Sequence, residues 1–161
     1  MEIRRDNLQH PQVIELIRAH LDAMAPTAPD ESRHALDIDG LRGPDITFWS
    51  VWDDQKLAGI GALKQLSSEH AEIKSMKTAK DYLRRGIASA LLSHLIREAT
   101  NRGYKQLSLE TGSMAFFEPA RKLYSLFGFM PCAPFADYVE DPNSVFMSKQ
   151  LNGDKNAASE K

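Results

Sequence analysis

Among 161 residues there is one cysteine, Cys132. No disulfide can form within the chain, and a cysteine-built zinc site is excluded. A lone thiol suits a reducing compartment. No apolar run approaches the roughly 20 residues of a membrane helix. The opening MEIRRDNLQ also lacks the apolar core of a secretion signal. The expectation is a cytoplasmic protein that does not enter a membrane. Charge of one sign is lacking as well: 20 Lys and Arg stand against 22 Asp and Glu. Nothing in that balance indicates a nucleic-acid partner. Neither G-x-G-x-x-G nor the P-loop pattern occurs, so a Rossmann cofactor and an ATPase lose support. The histidines and carboxylates show no ligand spacing, and no metal is expected.

What is present is globular: 42% hydrophobic and 26% charged residues, enough for one core. Residues 1–151 read as a single domain, and 152–161 as a frayed tail. Met1 to Arg5 reads as a strand. His10 to Met24 has Val13, Ile14, Ile17 and Leu21 at helix spacing. Ala25 to Pro29 breaks that helix, and Asp30 caps a short second one containing Arg33 and His34. Ile46–Trp52, Leu57–Leu66 and Glu69–Thr78 read as a three-stranded antiparallel meander. Gly59 and Gly61 within it signal close backbone approach or a bulge. Arg85 to Arg102 carries a broad apolar stripe (Ile87, Leu91, Leu92, Leu95, Ile96, Ala99), and Gly103 stands at the C-cap position. Lys105 to Thr111 follows this helical crossover and should lie parallel to the strand before it. A last helix, Phe116 to Phe127, is entered at Pro119 and closed by Gly128, and one or two strands complete the chain.

The loop Leu83-Arg84-Arg85-Gly86-Ile87-Ala88 joins a strand to the long helix. Backbone N–H groups in a helix's first turn lack intrahelical partners, and the dipole there favours anions. Gly86 lets the backbone approach a phosphate, Ala88 is small enough for the same purpose, and Arg84 and Arg85 add charge. The other reading is an ordinary helix start with two solvated arginines.

Element order adds to this. The small residues Gly86 and Ala88 fit the loop pattern (Arg/Gln)-x-x-Gly-x-(Gly/Ala), with Leu83 replacing the usual Arg or Gln. Downstream, Ala120, Leu123, Tyr124, Gly128 and Phe129 fit Ala-x-x-Leu-Tyr followed by Gly-Phe. With these motifs the chain resembles the GNAT superfamily of acyl-CoA-dependent N-acetyltransferases over residues 1–151. The run from LETGS through PARKLYSLFGF to PFADY and DPNSVFM is similar to a bacterial branch called YsnE-like. The resemblance implies a mixed α/β fold. Its sheet is mostly antiparallel, with one splayed parallel strand pair and flanking helices.

The resemblance also implies a chemistry: an amine attacks the thioester of acetyl-CoA directly. Tyr124 occupies the family's position for the acid that protonates the leaving thiolate. Glu72, in an Ala-Glu-Ile context, matches the base of some histone-acetylating members. The plainer reading of Glu72 is a surface carboxylate or an ion-pair partner of Lys74. Glu110, His34, His70 and a water relay are the other candidate proton acceptors; the plainer readings are a structural carboxylate for Glu110 and solvated loop or strand-start histidines for His34 and His70. Met76, Lys77 and Thr78 match the strand whose backbone holds the pantetheine arm. Arg84, Arg85, Gly86, Ile87, Ala88 and Ser89 match the pyrophosphate loop. Phe117 stands where an asparagine often contacts the cofactor. The acceptor pocket is expected between the first two helices and Phe135–Tyr138, with Phe48, Trp49 and Trp52 as an apolar wall or as core. Acidic residues near the mouth (Asp30, Glu31, Asp137, Glu140, Asp141) favour a cationic amine, or else are solvated loop charges. The implied partner is a small-molecule amine, and a homodimer is the common assembly. The alternative is a non-catalytic acyl-CoA sensor on the same fold.

Overall fold

The computed structural model describes residues 1–24 and 36–151. Seven strands form one sheet in the order β1-β2-β3-β4-β5-β7-β6. The first three, β1 (Glu2–Arg5), β2 (Ile46–Asp53) and β3 (Lys56–Gln65), are antiparallel neighbours, and β4 (His70–Thr78) continues the meander. The crossover to β5 (Gln106–Gly112) makes the one parallel pair. Beyond it, β7 (Ser144–Gln150) runs antiparallel to β5, and β6 (Met130–Cys132) forms the far edge. This is the mixed, mostly antiparallel sheet with a parallel pair that the motifs implied.

Helix α1 (Pro11–Met24) covers one face through Val13 and Ile17, which meet Phe48, Trp52, Ile60 and Ala62. Helix α3 (Ile87–Asn101) covers the other, where Ile87, Leu91, Leu92 and Leu95 meet Trp49, Val51, Leu63 and Ile73. Phe48, Trp49 and Trp52 are therefore core and wall no pocket. The expected cap at Asp30, and the residues Arg33 and His34, lie outside the described residues. The described helical turn there is α2 (Ile38–Leu41), whose N-cap Asp37 accepts from the Gly40 N–H at 2.9 Å. Helix α3 begins at Ile87, two residues later than the expected Arg85, because Gly86 takes φ 82 just before it. Similarly, the last helix splits into a 3-10 turn at Ala115–Phe117 and α4 (Glu118–Leu126), since Pro119 belongs in a first helical turn.

Both glycines of β3 serve close approach. A Cβ on Gly59 would lie 2.9 Å from Ile87 Cγ2, and one on Gly61 would lie 3.0 Å from Leu91 Cδ2. The missing side chains let α3 sit low on the sheet, and this sets the position of its N-terminus relative to β4. Gly59→Val is expected to lower stability by about 1–3 kcal/mol through overpacking, read as a lower urea midpoint with unchanged m-value.

Candidate active site

Strands β4 and β5 pair only at His70–Gln106, Ala71–Leu107 and Glu72–Ser108. Past Glu72 they diverge, so β4 from Ile73 to Thr78 has no strand on that side. On its other side the ladder to β3 shifts register between Ile60 and Ala62, and there Ser75 takes φ 57. The bulge tilts the strand end and widens the gap. A cavity of about 380 Å³ occupies it. Its walls come from β4 (Glu72 to Thr78), β5 (Leu109 to Thr111), the end of α1 (His20, Ala23) and α4 with the turn before it (Phe116, Phe117, Ala120, Leu123, Tyr124). Its lining comes from elements on both faces of the sheet.

The α3 end of this gap presents backbone donors and open space. The first helical bond of α3 runs from the Ala90 N–H to the Gly86 carbonyl at 3.0 Å. The N–H groups of Ile87, Ala88 and Ser89 therefore precede the ladder. Nothing lies within 4 Å of where a Gly86 Cβ would stand. Arg84 and Arg85 are exposed beside it, and the Arg85 guanidinium lies 4.7 Å from the centre of the Tyr82 ring. Ile87 buries its side chain in the core, so only its backbone is available. Ala88 and the exposed Leu83 reach the cavity wall, whereas Arg84 to Ile87 and Ser89 lie beyond it. Phe117 packs its ring against Gly112, and any Cβ at Gly112 would collide with it.

Tyr124, on α4, lines the cavity. It is buried, its ring meets Phe129 edge-on, and its hydroxyl has no hydrogen-bond partner among the described residues. Burial, and then the charge of Glu110, push its pKa up to about 12. It is a protonated donor at neutral pH. Glu110 faces the same space from β5. Its Oε2 accepts from Ser144 Oγ at 2.8 Å. Burial raises its carboxyl to about 7, against the opposing pull of that bond and of Lys74. Such a group takes and releases protons near neutrality.

Glu72 is not a surface carboxylate. It is 2% exposed, and its Oε2 accepts from Tyr138 Oη at 2.6 Å and from Lys74 Nζ at 3.3 Å. Lys74 also donates to Tyr138 Oη at 2.9 Å. Burial, and then Glu72, push the Tyr138 hydroxyl well above the ordinary tyrosine range. The segment Phe135–Tyr138 thus touches the wall residues Glu72 and Lys74 through one phenol, while Phe135 packs on His70 and Phe146. His70 is bonded to Ser108 Oγ at 2.7 Å and lies outside the cavity walls. His34 lies outside the described residues.

Two wall residues escaped the sequence reading. His20 looked like one more polar residue on an amphipathic helix, yet burial and then the Lys77 charge lower it to about 4. Ser75 Oγ is buried without a partner among the described residues; the bulge signalled by Gly61 lies opposite it, but Ser75 itself carried no signal. The same residues contain no cluster of three metal-ligating side chains and no helix able to cross a membrane.

Comparison with known proteins agrees with this geometry. Residues 12–129 match the acetyltransferase (GNAT) family. The N-acetyltransferase YsnE of Bacillus subtilis (strain 168) is 59% identical over 151 residues, covering 94% of this chain and 100% of that protein. YedL of Escherichia coli (strain K12), also named an N-acetyltransferase, is 51% identical, covering 92% and 94%. Among solved structures, an acyl-CoA N-acyltransferase of Klebsiella pneumoniae superposes with a TM-score of 0.75 at 27% identity, covering 93% and 97%. A GNAT family acetyltransferase of Elizabethkingia anophelis with acetyl-CoA bound does so with 0.70 at 20%, covering 93% and 97%. The chain belongs to the GNAT acetyltransferase family.

Proposed function

We propose that this acetyl-CoA-dependent acetyltransferase acetylates the primary amine of a small molecule by direct attack. Tyr124 is the proton donor and Glu110 the proton acceptor. One observation supports the reading above all: a phenol held protonated and a carboxyl poised near pH 7 face the same cavity at the strand splay. A non-catalytic acyl-CoA sensor would need neither group there.

The residues fit the cosubstrate. The backbone of Met76, Lys77 and Thr78, unpaired on the β5 side, offers strand-like hydrogen bonds to the pantetheine amides. The N–H groups of Ile87, Ala88 and Ser89 offer a nest for the pyrophosphate, with Arg84 and Arg85 beside it. When bound, acetyl-CoA supplies the acetyl group and a thiolate leaving group. Glu110 takes a proton from the attacking amine. Tyr124 gives one to the departing sulfur. Glu72 carries two hydrogen bonds on one oxygen, one of them from an ammonium, so it serves better as the anchor of Lys74 and Tyr138 than as the base. Phe117 and Leu123 wall the cavity against water.

Tyr124→Phe is expected to lower kcat by about 100-fold or more while acetyl-CoA affinity by calorimetry stays unchanged; equal loss in both would show that Tyr124 only packs. Because Glu110 must be ionised to accept a proton, kcat/KM should climb as pH rises through about 7, and Glu110→Gln should remove that limb. Stability gives a second readout. Its raised pKa means the folded state holds this proton more tightly than the unfolded chain, so the carboxyl's contribution falls as pH rises toward 7. The melting temperature of Glu110→Gln relative to the parent should therefore increase between about pH 5 and about pH 8.

A further inference from the structure

Strand β4 carries two lysines three positions apart, Lys74 and Lys77. In an unbroken strand, residues three apart point to opposite faces. Here the register steps from Ala62–Lys74 to Ile60–Lys77, leaving Ser75 and Met76 opposite the single Gly61. Cross-strand partners share a face. Ala62 and Ile60 both belong to the core beneath α1. The bulge therefore turns both lysines toward the α1 side, away from α3 and its anion site. Met76 goes the other way and packs with the α3 core.

The two ammonium groups differ in their surroundings. Lys74 is buried against Glu72 and Tyr138. Lys77 is half-buried in the cavity wall, and among the described residues it makes no ion pair and no side-chain hydrogen bond. The ionisable neighbour that feels its charge is His20, across the same wall on α1. His20 is kept neutral by burial, so it neither balances Lys77 nor repels it. A partly desolvated cation with no counter-charge among the described residues is unfavourable on its own. Beside a neutral imidazole, it forms a pair of donors suited to a carboxylate. The two carboxylates of this region are otherwise engaged, Glu72 by Lys74 and Glu110 by Ser144. Of the acidic residues expected to attract a cation, Asp137 and Glu140 are exposed in the loop before β7, and Asp141 accepts from the Asn143 N–H.

We propose that the acceptor is an amino acid, an amine bearing a free carboxylate, and that Lys77 together with His20 binds that carboxylate. This deepens the acetyltransferase reading and rests on it. Lys77 then has two separate duties, its backbone toward the cosubstrate and its ammonium toward the acceptor. A polyamine or other purely cationic acceptor would meet Lys77 as a like charge.

The test compares a panel of amino acids with their carboxamides as acceptors, following thiol release from acetyl-CoA. The acids should exceed the amides in kcat/KM by about tenfold or more. Lys77→Met should shrink this acid-to-amide ratio by about tenfold, mainly through KM, and Lys77→Arg should restore most of it. A purely structural role would lower both substrates together and leave the ratio unmoved. A binding arm does not depend on turnover: with CoA present, calorimetry should show N-acetyl amino acids binding more tightly than N-acetyl amino amides, and Lys77→Met should abolish the difference. Equal handling of acids and amides in both arms overturns the proposal while leaving the acetyltransferase intact. So does a Lys77→Met that weakens CoA itself without changing the ratio, which would assign the ammonium to the cosubstrate phosphates. Absence of acetyl-CoA binding to the parent protein would overturn both readings.

Discussion

The structure turns on the point where β4 loses its parallel partner. Up to Glu72 the strand is hydrogen-bonded on both sides; beyond it, one row of peptide groups has no strand to meet. Unpaired backbone inside a protein must find a partner. Here the edge faces a cavity, and a ligand with amide groups is the natural partner. The bulge at Ser75 and the low seat of α3 over Gly59 and Gly61 act on the same short segment. One tilts the edge, and the other brings a helix N-terminus close to it.

The two ends of the cavity are made of different materials. Toward α3 the donors are main-chain groups and two exposed arginines. Toward α1 they are side chains held in a bonded set: Glu72, Lys74 and Tyr138 on one side, Glu110 and Ser144 on the other. Buried charges tolerate such a place when paired and bonded. The set gives a rigid polar floor on which Tyr124 and Glu110 hold different protonation states only a cavity's width apart. Burial raises both pKa values, yet one ends near 12 and the other near 7.

Much of this was legible in the residues. The stripe of α3, the parallel return of β5 and the turn glycines Gly103 and Gly128, at φ 88 and 93, follow from local rules. The glycines of β3 announced close approach, and the structure shows what approaches. Gly61 also marked the bulge, since the ladder slips opposite it. The misses have a common cause. Ser75 adopts a left-handed backbone without being glycine, so its own residue type did not show that it is the strained residue of that bulge. The bond from Tyr138 to Glu72 spans 66 positions, and no periodicity carries such a distance. His20 owes its character to what covers it. Sequence set Glu72 ahead of Glu110, and only the structure shows that Glu72 is bonded to Lys74 and Tyr138 while burial raises the Glu110 carboxyl.

The contrast between the two ends has a consequence for how the protein changes over time. A site made of peptide groups, set in place by a packing distance between helix and sheet, is hardly visible to point substitution. Leu83 can stand where a polar residue is usual because the donors around it belong to every residue alike. A site made of side chains is rewritten one residue at a time. Under the proposed function the α3 end is a fixed socket for the cosubstrate and the α1 end an interchangeable fitting for the acceptor, so new acceptor preferences would arise by drift at a few positions on β4 and α1 without putting acetyl-CoA capture at risk.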